Sequence, residues 1–399
     1  MKLPGTTPVD LTYCTNVHPG ETWEETFAGL ERYLPPIKQR VSPNQPFGVG
    51  LRLSADAAAT FASPDRLESF KAFLADHGLY VFTLNGFPYG RFHGTRVKET
   101  VYLPDWQDEA RLQYSNRLAD ILVELLPDDR DIEGSTSTVP GAFKPQVQGQ
   151  DSIDAMVRHL VAHAVHLADL EARTGRTLRL ALEPEPCCFL ETIEESVRFF
   201  ENHLFAAPSR DLVAQATGRA NGAEDLLRRH IGICFDVCHA AVEFEDEDAL
   251  DRLVAAGIAV PKIQVSSALR LPTVDAAAAD LLRPFDDGVY FHQVVERSAG
   301  GLTRYLDLDE AFASLDGAGG PREWRVHFHV PVFRESAGGF TTTQDYLKAI
   351  LARQRASPVA AHLEVETYTW GVLPEADRQG DLAHNIAREI EWTRRELTS

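Results

Sequence analysis

Positive charge is scarce in this sequence. The 399 residues include 39 Lys and Arg against 59 Asp and Glu, which gives a formal net charge of −20 at pH 7. A protein that binds nucleic acid needs a basic face to neutralise phosphates, whereas this composition repels them. The sequence therefore predicts no nucleic-acid partner.

Long apolar runs are also missing. No window approaches the roughly 18–20 apolar residues that a membrane-spanning helix requires. The beginning of the chain, MKLPG, lacks the apolar stretch of a secretory signal peptide. We expect no membrane insertion and a cytoplasmic location.

Cysteine is rare, and a nucleotide-binding glycine motif is lacking. The five cysteines are odd in number and lie in strand-like segments, which disfavours a disulfide framework. Cys234 and Cys238 have no second Cys or His pair at zinc-finger spacing, so we interpret them as core thiols. The first predicted strand runs into NVHPG without a Gly-rich phosphate-binding turn, which disfavours a doubly wound sheet.

Short alternating apolar segments are separated by longer stretches with helical periodicity, which is the pattern of successive βα units. The predicted strands are 11–17, 47–53, 80–85, 132–138, 178–183, 231–236, 262–267, 325–330 and 361–367. We predict a single (β/α)₈ TIM barrel domain over residues 1–399, with long βα loops. A β-hairpin insertion is predicted near 284–324, where two strand-like runs flank Ser298–Gly301. Nine strands are one too many for the barrel, so 325–330 could instead lie in an extended loop.

Polar side chains collect at the carboxyl ends of these strands, where barrel enzymes hold their active sites. Glu183, Asp236, His329 and Glu366 end separate predicted strands. Carboxylates and an imidazole around an open position suit a divalent ion such as Mn²⁺, Mg²⁺, Co²⁺ or Zn²⁺. A single such residue is more often a solvated rim group, but four in order on separate strands favour a metal site.

The motifs ALEPEP (181–186), FDVCHA (235–240), HFHVPVF (327–333) and LEVETYTW (363–370) resemble the xylose isomerase-like TIM barrel superfamily. The opening LTYCTNVHPGETW, together with GVGLRLS and HLEVETYTW, resembles more closely the EboE family, named for metabolite traffic in bacterial gene clusters. This resemblance spans nearly the whole chain. It implies a barrel fold, a divalent metal ion and a small carbohydrate-like substrate.

The resemblance also implies roles for individual residues. It places the first metal glutamate on Glu183, the metal aspartate on Asp236 and the last metal glutamate on Glu366, with His239 in contact with substrate or a second metal. The strand that usually carries a metal histidine reads KIQVSS here. Either Gln264 is a ligand there, or an imidazole comes from His329 or, alternatively, from His327.

Further polar and aromatic residues are predicted near the substrate. The candidates for substrate binding are Asn16, His18, His239, Glu185, His292 and Trp370. Phe87, Tyr89 and Trp370 could form an apolar wall, although most aromatic residues in such places only pack. We expect Glu364, one layer deeper than Glu366, to form a structural ion pair with Arg52 or Arg179.

Three functions are compatible with this pattern. The first is a metal-dependent isomerase or epimerase of a sugar, sugar phosphate or polyol ketone, in which Glu183 and Glu366 move a proton through an enediolate. The second is a phosphoesterase of the endonuclease IV type with two or three metals, and the charge of −20 disfavours DNA as its substrate. The third is a carrier that binds a metabolite without catalysis.

Overall fold

The computed structural model describes residues 1–3, 8–94, 96–128, 132–286, 288–315, 320–337, 339–373 and 380–399. Residue 287 and residues 316–319 of the predicted insertion lie outside the described residues, as do residues 4 and 5 of the opening MKLPG. Within the described ranges, every helix is too short or too polar to traverse a lipid bilayer.

Fifteen strands are present in the described ranges. They are β1 (Lys2–Leu3), β2 (Val9–Tyr13), β3 (Phe47–Arg52), β4 (Leu79–Asn85), β5 (Gly134–Thr138), β6 (Leu178–Leu182), β7 (Ile231–Asp236), β8 (Ala259–Val265), β9 (Leu269–Leu271), β10 (Val294–Ser298), β11 (Gly301–Tyr305), β12 (Glu323–Val326), β13 (Ser336–Ala337), β14 (Phe340–Thr342) and β15 (His362–Val365).

The larger sheet is the predicted barrel. Its order is β1-β2-β15-β8-β7-β6-β5-β4-β3, and all pairs except β1 with β2 are parallel. A parallel bridge from Cys14, which follows β2, to Gly50 in β3 closes the eight parallel strands into a ring. Their residues are almost all buried, as expected for parallel strands covered on both faces.

Helices cover the outside of the barrel and some of its loops. They are α1 (Trp23–Val41), α2 (Ala55–Phe61), α3 (Pro64–Asp76), α4 (Glu109–Leu125), α5 (Gln150–Thr174), α6 (Ile193–Phe199), α7 (Ala207–Thr217), α8 (Ala223–His230), α9 (Val237–Val242), α10 (Ala249–Ala255), α11 (Ala276–Leu282), α12 (Leu308–Ala313), α13 (Gln344–Ala356) and α14 (Leu382–Thr398). Helix α1 begins with a capping box formed by Thr22 and Glu25.

The insertion is larger than the predicted hairpin. Between β8 and β15, six strands form a second, antiparallel sheet in the order β11-β10-β12-β9-β14-β13. The hairpin itself is confirmed, since Val294–Ser298 pairs with Gly301–Tyr305. Strand β12 belongs to this sheet and not to the barrel. The ninth predicted strand, 325–330, is therefore accounted for, and the residues after β12 reach the mouth of the barrel from outside it.

A buried ion pair fills the barrel interior below the strand ends. Lys262 Nζ lies 2.5 Å from Glu364 Oε2, and both side chains are fully buried. Burial lowers the pKa of Lys262, but Glu364 and the nearby thiols of Cys234 and Cys14 together outweigh this effect, so that the pKa is raised. The prediction that Arg52 or Arg179 pairs with Glu364 is wrong. Arg52 contacts Gly20 and Glu21 at the rim, and Arg179 forms a partly exposed pair with Glu133. Arg179 lies near the amino end of β6, whereas Lys262 lies farther along β8, beside β15.

Candidate metal centre

Three carboxylates converge where the barrel strands end. Glu183 follows β6, Asp236 is the last residue of β7 and Glu366 follows β15. One oxygen of each lies within 4.8 Å of the other two, and all three side chains are buried. A single ion with ligand distances near 2.0–2.4 Å can reach three oxygens at this spacing. The structure thus brings together three of the four predicted ligands.

The Asp-x-x-His motif has a local structural reason. Asp236 caps helix α9, since its Oδ1 accepts the backbone N–H of His239 at 2.9 Å. Ser266 Oγ donates to the same oxygen at 2.8 Å, and Asp236 Oδ2 is buried without a hydrogen-bond partner. The cap therefore places the His239 ring beside Asp236 and leaves one carboxylate oxygen for a ligand.

Imidazoles form the other side of the site. Asp236, His239 and His329 offer ligand atoms within 4.8 Å of one another, so Asp236 belongs to both the carboxylate group and this group. His239 Nδ1 donates to the carbonyl of Pro184 at 2.9 Å, and His329 Nδ1 donates to the carbonyl of Glu366 at 2.7 Å. Because a carbonyl oxygen can only accept, both rings donate through Nδ1, which leaves Nε2 as the ring nitrogen that could bind an ion.

His327 and His329 come from the insertion, since both follow strand β12. His327 Nδ1 contacts Gln293 Oε1 at 2.7 Å, and the Nε2 atoms of both rings are buried without a partner. Burial lowers the pKa of His239 to about 4 and places that of His327 well below its usual value. Neutral imidazoles fixed through Nδ1 are typical of metal ligands and of residues that contact them.

Cys238 lies next to these rings. Its Sγ is within 4.8 Å of ligand atoms of His327 and His329. Cys238 was interpreted as a core thiol, and the residue is buried. Its position beside two insertion histidines had no sequence signal, because the contact joins segments that are nearly ninety residues apart.

The pKa values of two carboxyl groups reflect the concentration of negative charge. Burial and the neighbouring carboxylates raise the pKa of Glu183 and that of Glu366 well above the usual range. Asp236 is the largest charge acting on Glu183, and Glu183 is the largest acting on Glu366. The three carboxylates are thus mutually repulsive until a cation or protons neutralise them.

A cavity opens above the carboxylates. Its polar floor consists of Asn16, Asn85, Glu183, Glu185, His239, His327 and Glu366. Asn16 and Asn85 both donate to Glu366 Oε1, at 2.7 and 3.0 Å. The predicted substrate ligand Asn16 therefore also positions Glu366. Asn85 was not singled out, although it ends β4 with the same polar alternation as the other strands.

Glu185, which was predicted to contact the substrate, also lines this cavity. It accepts hydrogen bonds from Tyr102 at 2.7 Å and from Gln293 at 3.3 Å. Burial raises its pKa to about 7. Tyr102 is in the loop after β4 and Gln293 is in the insertion, next to β10, and the sequence analysis singled out neither residue.

Four other predicted residues lie outside the described lining of the cavity. His18 stacks on Tyr33 and contacts Tyr13. Trp370 donates to Glu389 on helix α14 at 2.9 Å, and His292 packs against Phe328. Tyr89 packs on Tyr114, whereas Phe87 does line the cavity.

Gln264 is fully buried on β8, opposite Asp236 on one side and Glu364 on the other. Neither its amide oxygen nor its amide nitrogen has a hydrogen-bond partner. Buried amides normally have partners, so this side chain is available to a ligand or to water.

Comparison with solved structures identifies the fold. A xylose isomerase-like TIM barrel protein from Mycobacterium smegmatis, solved in complex with magnesium, aligns with 98% of this chain and 97% of its own at a TM-score of 0.51 and 13% identity. The chain has the xylose isomerase-like TIM barrel fold. A xylose isomerase domain protein from Alicyclobacillus acidocaldarius gives a TM-score of 0.47 at 14% identity, and the IolI protein with a binding zinc atom gives 0.46 at 11%; each alignment covers 98% of both chains. No family model and no curated protein matches the sequence.

Proposed function

We propose that this protein is a metal-dependent isomerase or epimerase of a carbohydrate-like hydroxy-carbonyl compound, and that it belongs to the EboE family. The xylose isomerase-like barrel and the motif resemblance along the chain support this proposal. So does the magnesium held by one protein of similar fold.

The observation that carries the proposal is an excess of buried negative charge. Glu183, Asp236 and Glu366 lie together, and the nearby buried cation, Lys262, is already paired with Glu364. Buried carboxylates are costly unless they are neutralised by protons, by paired cations or by a metal. Oxygen ligands and neutral imidazoles together fit a divalent transition ion or Mg²⁺.

The donor atoms fit such an ion. Glu183 Oε2, Asp236 Oδ2 and His329 Nε2 are all buried and have no hydrogen-bond partner. We assign the ion to Glu183, Asp236 and Glu366. His329, which lies beside Asp236, is the proposed fourth ligand. Gln264 or His327 is the alternative to His329. When bound, the ion would polarise a substrate carbonyl and stabilise negative charge on the adjacent oxygens.

The proton transfer itself falls to the two glutamates. Asn16 and Asn85 hold Glu366 through Oε1, so Oε2 is the atom that would accept a proton from the substrate carbon. A raised pKa makes a carboxylate a stronger base, which offsets part of the basicity that a bound cation removes. Glu183, on another strand of the same group, would donate a proton of its own to the enediolate, and exchange with solvent would then remove the proton from Glu366 and reprotonate Glu183.

Deuterium exchange tests this proposal. Incubation of the Mn²⁺-loaded protein with α-hydroxy ketones and ketoses in D₂O should place deuterium on the carbon next to the carbonyl. The measurement is by NMR, with metal-free protein as the control. Recovery of a co-purified metabolite, chemically unchanged and undeuterated after long incubation with the metal, would contradict the proposal and favour a carrier.

Metal binding should depend on pH. Because the pKa values of Glu183 and Glu366 are raised, protons compete with the ion at higher pH than they would at ordinary carboxylates. The affinity for Mn²⁺ should therefore rise as pH increases from acidic to neutral, with protons released on binding. Isothermal titration calorimetry in two buffers of different ionisation enthalpy measures this release. An affinity that is constant with pH would contradict the assignment.

One feature favours the phosphoesterase alternative. Asp236 is shared between the carboxylate group and the imidazole group, as a ligand that bridges two ions would be. Metal analysis that gives two ions per chain, together with hydrolysis of a small phosphate ester, would support that function over isomerisation.

A further inference from the structure

The wall of the cavity differs chemically from its floor. Above the carboxylates it is lined by Phe87, Phe92, Val97, Val101, Tyr290 and Tyr368. Phe92, Val97 and Tyr290 form an apolar cluster of their own, separate from the main core, and Val101 and Tyr368 pack against it. Such satellite clusters occur under long loops, and here the cluster lines the same cavity as Glu183 and Glu366.

Two of the three tyrosines that line the cavity use their hydroxyls as donors within the protein. Tyr290 OH donates to the backbone carbonyl of Phe92 at 3.1 Å, and Tyr102 OH donates to Glu185. The rings of Tyr290, Phe92 and Tyr368 contact one another with centroids 5.2–5.4 Å apart. A sugar would find few hydrogen-bonding groups on this wall, whereas a hydrocarbon would find ring faces and methyl groups.

The described lining of the cavity also has little positive charge with which to bind an anionic group. Among the described residues that line the cavity, Lys98 is the single Lys or Arg. Its Nζ lies 2.5 Å from Asp307, and each of the two side chains is only 14% exposed. Asp307 also accepts the backbone N–H groups of His292 and Leu308, which fixes the pair. A phosphate would have to displace Asp307 to gain this cation.

We infer that the substrate of this site has a hydroxy-carbonyl or vicinal-diol head that reaches the carboxylates and an uncharged apolar substituent that contacts Phe92, Val97 and Tyr290. The inference rests on the proposed function for the head group. It narrows the substrate from free sugars and sugar phosphates to compounds whose polar head is joined to a hydrocarbon portion.

Two pairs of small ketones test this inference on the Mn²⁺-loaded full chain. Hydroxyacetone and 2-hydroxyacetophenone share the same head and differ by a methyl or a phenyl group. Burial of the ring should make 2-hydroxyacetophenone bind about tenfold or more tightly. Dihydroxyacetone phosphate should gain nothing over dihydroxyacetone. Calorimetry gives all four affinities.

Variants locate the effect. Phe92→Ala should reduce the phenyl preference at least about threefold, since it removes a ring that would contact the phenyl group. Leu302→Ala, at a 41% exposed position on β11, is the matched control and should retain the full preference. Circular dichroism and Mn²⁺ stoichiometry check that each variant is folded.

The four affinities measured on the unmodified chain are sufficient to test the inference of an apolar substituent. Equal affinity for the two hydroxyketones, a gain from the phosphate, or no measurable binding of either hydroxyketone would overturn the inference. The affinity ratio is separate from the deuterium exchange: selective binding without exchange would uphold the apolar substituent and reject the isomerase, and exchange without selectivity would do the reverse.

Discussion

Replacement of Glu366 by Gln is expected to slow deuterium exchange by roughly 10²–10⁴-fold, the range typical of a lost general base. Gln can still accept the hydrogen bonds of Asn16 and Asn85 through its amide oxygen, so the geometry at Oε1 should persist. An amide cannot take up a proton at neutral pH. Exchange is measured by NMR at saturating Mn²⁺.

Asp236→Asn is the comparison for this variant. Its effect should act through the metal, so that high Mn²⁺ restores part of the exchange, while the same concentration restores little in Glu366→Gln. Exchange that continues at the original rate in Glu366→Gln would remove this residue from the proposed mechanism.

Replacement of Lys262 by Met should lower the free energy of unfolding by about 3–5 kcal/mol, because it leaves the Glu364 carboxylate buried without its cation. The double variant Lys262→Met with Glu364→Gln should recover much of this loss, since no unpaired charge remains. Urea denaturation measures both values.

Arg179→Met provides a matched control. It removes the partly exposed pair with Glu133, whose expected contribution is below about 1 kcal/mol. A loss in Lys262→Met no larger than that in Arg179→Met would show that the interior pair does not stabilise the barrel.

The barrel could be predicted because its strands are long enough to alternate. Strands such as Phe47–Arg52 and Ile231–Asp236 each present several residues of one parity, and the polar parity ends at the site. Glu183, Asp236 and Glu366 were found in this way. The extent of the second sheet could not be predicted, because β9, β13 and β14 have only two or three residues each. Strands this short show no detectable alternation of polar and apolar residues.

Contacts between segments far apart in the chain could not be predicted from the sequence. Period-2 alternation indicates that Lys262 and Glu364 both face the barrel interior. It does not indicate that the two side chains are neighbours. Their proximity follows from the pairing of β8 with β15, in which Lys262 is opposite His362. Likewise, a His-bearing strand was evident, while its membership of the insertion depended on pairing with β9 and β10.

The origin of His329 outside the barrel has a thermodynamic consequence. An ion held by barrel carboxylates and by an insertion imidazole would bind the docked arrangement and not the separated one. By mass action, such an ion at a hundredfold excess over its dissociation constant stabilises docking by about 2.7 kcal/mol. Chelation would then weaken the attachment of the segment around His329 more than it weakens the barrel. The free metal concentration would then determine what fraction of the molecules has the segment around His329 docked on the barrel.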